Sequence, residues 1–242
     1  MVAQFMKRMA AQLPLPMQHE LRRHFFARQI RKRDFATDEK EYGRLGELLH
    51  EGDWALDVGA NVGHYALRMS ELVGATGRVV AFEPVPETFA LLAANARQFP
   101  HENVSLLNVA ASDVAGIAGF DIPSLEAGMP NYYQAHMSAS ASLSVMTLPI
   151  DALSIPYRVA LAKIDVEGHE LAVIRGMRKL LQRDHPVLIV ETFGQEVIEL
   201  LRTFEYSGER LPGSSNVLFE WDQAPVVCSS PISRSADRKH IP

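Results

Sequence analysis

The stretch Ala55-Leu-Asp-Val-Gly-Ala-Asn-Val-Gly63 constrains the fold more than any other. It reads as a buried strand, Trp54 to Val58, running through a glycine turn into a helix that starts near His64. Gly59 and Gly63 let the backbone turn sharply and approach a ligand where a Cβ would collide. Asp57 stands where the strand ends, and the turn is expected to offer unpaired amide donors at a helix N-terminus. About twenty residues on, Val79-Val-Ala-Phe-Glu-Pro84 closes a second apolar strand with Glu83 at its tip. An acid at that place accepts from both hydroxyls of a ribose.

The glycine spacing bears on which nucleoside is bound. A dinucleotide fold carries G-x-G-x-x-G, whose bare glycines admit a pyrophosphate. Here the run is D-x-G-x-N-x-G, from Asp57 through Gly59 and Asn61 to Gly63. An anionic Asp57 repels a pyrophosphate but suits an ammonium or a ribose, which points to S-adenosylmethionine (SAM). A ligand-free α/β turn, an NAD-dependent oxidoreductase and a catalytically inactive nucleoside-binding scaffold are the competing readings.

With 242 residues the chain can bury one sizeable core with small additions at its ends. A net charge of -5 gives no global case for nucleic acid. Cys228 is the single cysteine, which excludes an internal disulfide and fits a reducing compartment. No apolar run reaches the length of a membrane span and no signal peptide is evident, so a cytoplasmic location is expected.

Residues 1–44 read as a basic helical extension. Lys7, Arg8, Arg22, Arg23, Arg28, Arg31, Lys32 and Arg33 stand against Glu20 alone in the first 33 positions, and Leu21, Phe25, Phe26 and Ile30 fall near helical spacing. Such a segment can pack on the core with a solvated basic face, attract anionic lipid or an acidic substrate at a membrane surface, or serve as a targeting peptide. Residues 45–222 form the main domain. Strands Arg78 to Phe82 and Val104 to Val109, with a helix opened by Pro84 and Pro86 between them, continue a parallel right-handed α/β sheet. From Ala110 to Leu153 no helix is evident. Phe120 to Ile122 and Ser142 to Leu148 alternate like strands, with Gly116 and Gly119 near turns. Residues 124–140 read as a lid or substrate loop. Strand four, Val159 to Val166, is followed by a helix from His169 to Gln182. Strand five ends at Glu191, a helix spans Gln195 to Phe204, and Asn216 to Trp221 is the last strand. Residues 223–242 read as a flexible tail.

Ligands of open α/β sheets bind beyond the carboxyl ends of the strands. Asp57, Glu83, Asp165, Glu167 and Glu191 all lie there, and alternation puts Lys163, Asp165 and Glu167 on one side. Asp165 is the best candidate to face a reacting methyl group. Methyl transfer is an in-line displacement that depends mostly on alignment, and a hydroxyl acceptor also needs a base. His169 has a suitable pKa, with Glu167 and Glu170 as alternatives. Lys163 is equally readable as half of a structural ion pair, and Glu170 as favouring a helix N-terminus. Acids at consecutive strand ends are expected in a nucleoside site, so no metal is assigned. No G-x-S-x-G elbow or P-loop is present.

Taken together, these motifs resemble the FkbM family of SAM-dependent methyltransferases. The resemblance is carried by Leu56-Asp-Val-Gly-Ala-Asn-Val-Gly63, Arg78 to Pro84, Ala110 to Asp113, Lys163-Ile-Asp-Val-Glu-Gly-His-Glu170 with Gly176, Pro186 to Glu191, and Asn216 to Phe219. It implies a Rossmann-like class I methyltransferase fold: a seven-stranded, mostly parallel sheet with helices on both faces and an antiparallel last strand. It implies SAM held by Asp57, Gly59, Ala60, Asn61 and Gly63, with Glu83 and Pro84 at the ribose, Ala111 beside adenine and Asp165 near the methyl group. It implies O-methylation of a hydroxyl on a sugar, glycan, glycolipid or natural product. His64 stands where the family often has an aromatic or small residue, and the acceptor does not carry over.

Overall fold

The computed structural model describes residues 13–123, 136–137, 141, 143–192 and 194–222. Two helices lead in, α1 (Leu15–Lys32) and α2 (Lys40–Leu48). The parallel units follow: β1 (Trp54–Val58), α3 (His64–Val73), β2 (Arg78–Phe82), α4 (Pro86–Ala96) and β3 (Val104–Leu107). Four strands then form a separate sheet: β4 (Ala110–Ala111), β5 (Gly116–Asp121), β6 (His136–Met137) and β7 (Leu143–Leu148). The chain returns through β8 (Val159–Ile164), α5 (Glu170–Arg175), α6 (Arg178–Asp184), β9 (Val187–Glu191), α7 (Gln195–Arg202), β10 (Tyr206–Arg210) and β11 (Asn216–Trp221).

The main sheet has seven strands in the order β10-β11-β9-β8-β1-β2-β3. β9, β8, β1, β2 and β3 pair in parallel, and β11 runs antiparallel to both its neighbours. The order reverses beside β1, which opens a crevice at the carboxyl ends. Period-two alternation divides the apolar residues between two cores. Leu56, Val58, Val80, Phe82, Ala162, Ile164, Leu188 and Val190 face α5, α6 and α7. Ala55, Val79, Leu161 and Ile189 face α2 and α3, and Ala81 meets α1, α3 and α4. Helices therefore cover both faces, as expected. Buried Asn103 ties α3 to the sheet: it accepts from Ser70 Oγ at 2.6 Å and donates to the carbonyls of Ser70 and Gly74. Among the described residues no helix is long and apolar enough to cross a membrane.

Several expectations are corrected. β10 pairs only with β11, on the sheet's edge, and was not foreseen. The helix expected from His169 to Gln182 is two helices. At the break, a Cβ on Gly176 would stand 1.9 Å from the Ser112 carbonyl oxygen. The Asp151 carboxylate then accepts from the Lys179 and Leu180 amides and starts α6 afresh. Gly116 and Gly119 lie inside β5, paired with Thr147 and Ser144 of β7, rather than at turns. Position 45 falls inside α2, so the extension and the domain share an element. Of the 124–140 loop only β6 lies among the described residues, and the tail from 223 lies outside them.

Candidate active site

β1 and β8 are neighbours in register, so Asp57 lies beside Lys163. Both side chains point to the α3 side of the sheet, where Lys163 Nζ sits 4.7 Å from the centre of the Tyr65 ring. Lys163 donates to Asp165 Oδ2 at 2.6 Å. Burial works against its charge, but Asp165 and Asp57 outweigh that and hold it above its ordinary value. The expected pairing of Lys163 with a neighbouring acid is thus present.

Asp57 is 1% exposed, and neither of its carboxylate oxygens meets a hydrogen-bond partner within criterion among the described residues. Burial pushes its pKa up from 3.8 to about 6, against the Lys163 ammonium and the nearby Ala66 amide and with the help of Asp165. A buried carboxylate left this way is costly in the free protein and is poised for a donor or cation.

The amides of the turn after β1 are bonded to the end of β2 and within the turn. The Gly59 and Ala60 amides donate to the Phe82 carbonyl, Asn61 N to Glu83 Oε2, Val62 N to Asn61 Oδ1 and Gly63 N to the Ala60 carbonyl. The amides of the turn itself, Gly59 to Gly63, are thus taken up by Phe82, Glu83, Asn61 and Ala60, and any free donors of the expected kind are left to the first turn of α3. Asn95 on α4 braces the turn by donating to the Val62 carbonyl. Gly59, at φ +83°, lies so close to the next strand that a Cβ would stand 1.8 Å from the Asp165 carbonyl oxygen. The bare Cα of Gly63 accommodates Leu92 and Phe99 and lies outside the cavity lining. Its close approach is therefore to the core, not to a ligand.

Glu83 is buried, and its second oxygen accepts from Val85 N at 2.9 Å. Burial raises its pKa to about 7 against the pull of the two amides. Each oxygen keeps a free lone pair, which a ribose hydroxyl can use.

These groups line a cavity of about 430 Å3 with Ala60, Asn61, Pro84, Ala111, Asp165, Glu167 and His169. That lies within the roughly 300–1,000 Å3 range of small-molecule sites. Sequence reasoning missed part of the wall: Ala36, Thr37, Asp38 and Glu39, which follow α1, and His64 and Tyr65 at the start of α3. Tyr65 Oη donates to Glu39 Oε2 at 2.6 Å, and burial with that bond raises the phenol pKa above its ordinary range. His64 packs at a tilt against Phe35 with ring centres 4.2 Å apart, and burial lowers its pKa. No local motif marks these contacts, because Glu39 and Tyr65 meet across 26 residues.

On the opposite wall, Glu167 has φ +52°, a strained value for a residue with a side chain. Burial, Asp165 and Glu170 all raise its pKa. His169 caps α5, and its Nε2 lies 2.9 Å from Ser112 Oγ. Burial lowers its pKa although Asp113 and Glu170 oppose this. Glu170 turns away from the cavity and accepts from Gly168 N. Asp165 is held below its ordinary pKa: burial opposes ionisation, but Lys163 and a hydrogen bond from Glu191 prevail. Glu191 is pushed up to about 7, chiefly by that same bond. Carboxylate oxygens of Asp165, Glu167 and Glu191 lie within 4.8 Å of one another. Lys163 Nζ lies against Asp165 in this cluster.

The site therefore fits SAM on its own evidence: an unpartnered buried carboxylate for an ammonium, and a second acid for a ribose one strand away. The methyltransferase FkbM domain profile matches residues 57–211. The chain belongs to the FkbM methyltransferase family. It is 30% identical over 186 residues to the hexuronic acid methyltransferase AglP of Haloferax volcanii, covering 74% of each chain. It is 29% identical over 107 residues to a protein-L-isoaspartate O-methyltransferase of Methanosarcina mazei, covering 44% of each. Among solved structures it resembles the FkbM methyltransferase of Methylobacillus flagellatus, with a TM-score of 0.54 and 17% identity. That likeness covers 74% of this chain and 46% of that one, so this chain spans about half the length of the solved relative. At this identity it speaks to the fold. The chain is thus a SAM-dependent methyltransferase of the class I fold, as the sequence motifs implied.

Proposed function

We propose that this FkbM-family protein O-methylates a hydroxyl of a sugar or sugar-bearing natural product. The observation that carries the reading is the orphaned Asp57 carboxylate in a cavity whose far wall holds two groups able to take a proton. In this reading Asp57 holds the ammonium of SAM, Glu83 the ribose, Ala111 the adenine edge and Asp165 the region of the methyl group. When bound, SAM supplies a methyl group on a sulfonium leaving group. The chain's own part is to align the acceptor and remove its proton. Glu167 is favoured as that base, because its pKa is raised and because His169 Nε2 is engaged with Ser112. Lys163 keeps Asp165 ionised and in place.

The sugar acceptor is supported by the Haloferax volcanii relative, a hexuronic acid methyltransferase. The lining favours an uncharged hydroxyl over a carboxylate-bearing one. Among its described residues Lys163 is the sole Lys or Arg, and it is committed to Asp165, whereas Asp38, Glu39, Asp57, Glu83, Asp165 and Glu167 are acids. The test has two stages. Calorimetry with S-adenosylhomocysteine, and with NAD as control, checks the cofactor: tight NAD binding without the homocysteine form would overturn the reading. Transfer of labelled methyl from SAM to paired neutral and uronate glycosides checks the acceptor. Labelling of neither glycoside, or of a protein carboxylate instead, would remove the sugar hydroxyl.

A further inference from the structure

The apolar residues of α1 lie on two faces, which a simple amphipathic helix does not require. Phe26 is 8% exposed and packs with Ile30 toward α4 and Phe35. Met17, Leu21 and Phe25 are 53%, 51% and 56% exposed. Spaced by four, they form one line along the helix. At 100° per residue that line lies roughly 100–180° round the helix from Phe26, away from the core. Arg28 and Lys32, both exposed, continue the same line toward the helix C-terminus, with exposed Arg31 beside it. The single acid of α1, Glu20, is bonded to Arg23 at 3.1 Å.

We infer that this outer face of α1 is a docking surface for an anionic lipid bilayer. The line sets three exposed apolar side chains next to exposed cations, a combination suited to an anionic bilayer surface. Charge selects this occupant over the other two candidates. Residues 1–12 carry Lys7 and Arg8 and no acid, so they offer no complement to Arg28 and Lys32. A second copy would bring two strongly basic helices together. Beyond α1, residues 36–39 enter the cavity wall directly and Phe35 packs against His64, so the docked face is joined to the site by a few residues. The inference does not depend on which acceptor is methylated.

The test is co-sedimentation of the full chain with vesicles of phosphatidylcholine alone and of phosphatidylcholine mixed with phosphatidylglycerol. Binding to the mixed vesicles is expected to exceed binding to the neutral ones by about tenfold or more, and to weaken with salt. Met17→Ser/Leu21→Ser/Phe25→Ser is expected to reduce that binding by about tenfold, and Arg28→Glu/Lys32→Glu by a similar factor. Unchanged S-adenosylhomocysteine affinity in both variants certifies the fold, and the charge variant tests the surface should the apolar one fail to fold. Wild-type protein that ignores the mixed vesicles, or variants that bind them as wild type does, would overturn the proposal. So would a wild-type dimer that the apolar variant converts to monomer, since the strip would then join two copies.

Discussion

At the carboxyl-end rim of the sheet, Glu83, Lys163 and Asp165 are held by hydrogen bonds, and Asp57 beside them is buried without one. On the outer face of α1, Met17, Leu21, Phe25, Arg28 and Lys32 stand exposed on the surface. The rim is negative and buried; the helix face is positive and exposed. Substitutions should therefore act through stability and cofactor affinity at the rim, and through surface binding alone on the helix.

The largest effect is expected at Gly59. A methyl there meets the Asp165 carbonyl at 1.8 Å in a backbone conformation that side chains disfavour. Gly59→Ala should cost more than about 3 kcal/mol and abolish S-adenosylhomocysteine binding. A melting temperature within about 3 °C of wild type would show that β1 and β8 are not wedged at this point.

Asp57 sharpens the contrast because its two effects have opposite signs. Asp57→Asn should weaken S-adenosylhomocysteine binding by about 30–100-fold, the worth of a charge-assisted contact. It should also raise the stability of the free protein by about 1 kcal/mol, because an unpartnered buried charge is removed. Equal affinity in titration calorimetry would detach Asp57 from the cofactor.

How far the molecule could be read from its residues follows the same divide. β1, β2 and the last strand were legible to the residue, because their sides alternate between two apolar cores. β10 was not: in Tyr206-Ser-Gly-Glu-Arg210 only Tyr206 is buried, and an edge strand leaves no alternation to read. Asp57, Glu83 and Asp165 were visible because strand ends announce themselves. Glu39 and Tyr65 were not, since their meeting depends on how α1 and α2 fold back over the sheet. The break at Gly176 likewise depends on Ser112, far away in sequence.

The rim should also respond to pH in a way the helix face does not. Asp57 and Glu83 have folded pKa values of about 6 and about 7, above their ordinary 3.8 and 4.5. The folded chain holds these protons where the unfolded chain has released them. Their contribution is therefore complete below about pH 4 and is lost as pH rises through 6 and 7. Glu191, raised to about 7, adds to this loss, Asp165, held below its ordinary value, acts at lower pH, and His64 and His169, both lowered by burial, oppose it in part. The free protein should lose stability, on the order of a few kcal/mol, between pH 5 and pH 8. Denaturant titrations at the two values measure this, and Asp57→Asn should flatten the difference. A rise in stability over the same interval would mean that these carboxylates are ionised throughout in the fold.

The smallest expected effect makes the sharpest comparison, because it lies within one pair of adjacent residues. Phe26 contacts Phe35 edge-on at 5.7 Å and His64 at 6.4 Å, beneath the helix. Phe26→Ala should cost about 3 kcal/mol and loosen the cavity wall that Phe35 and His64 support, with a several-fold loss of S-adenosylhomocysteine affinity. Phe25 touches Phe26 edge-on at 5.5 Å but is 56% exposed. Phe25→Ala should change stability by less than about 0.5 kcal/mol and leave cofactor affinity alone. Denaturant midpoints for the two variants, measured side by side, decide the matter. Comparable losses in both would mean that Phe25 has a packing partner in the folded chain, and that the outer face of α1 belongs to the core rather than to a lipid surface.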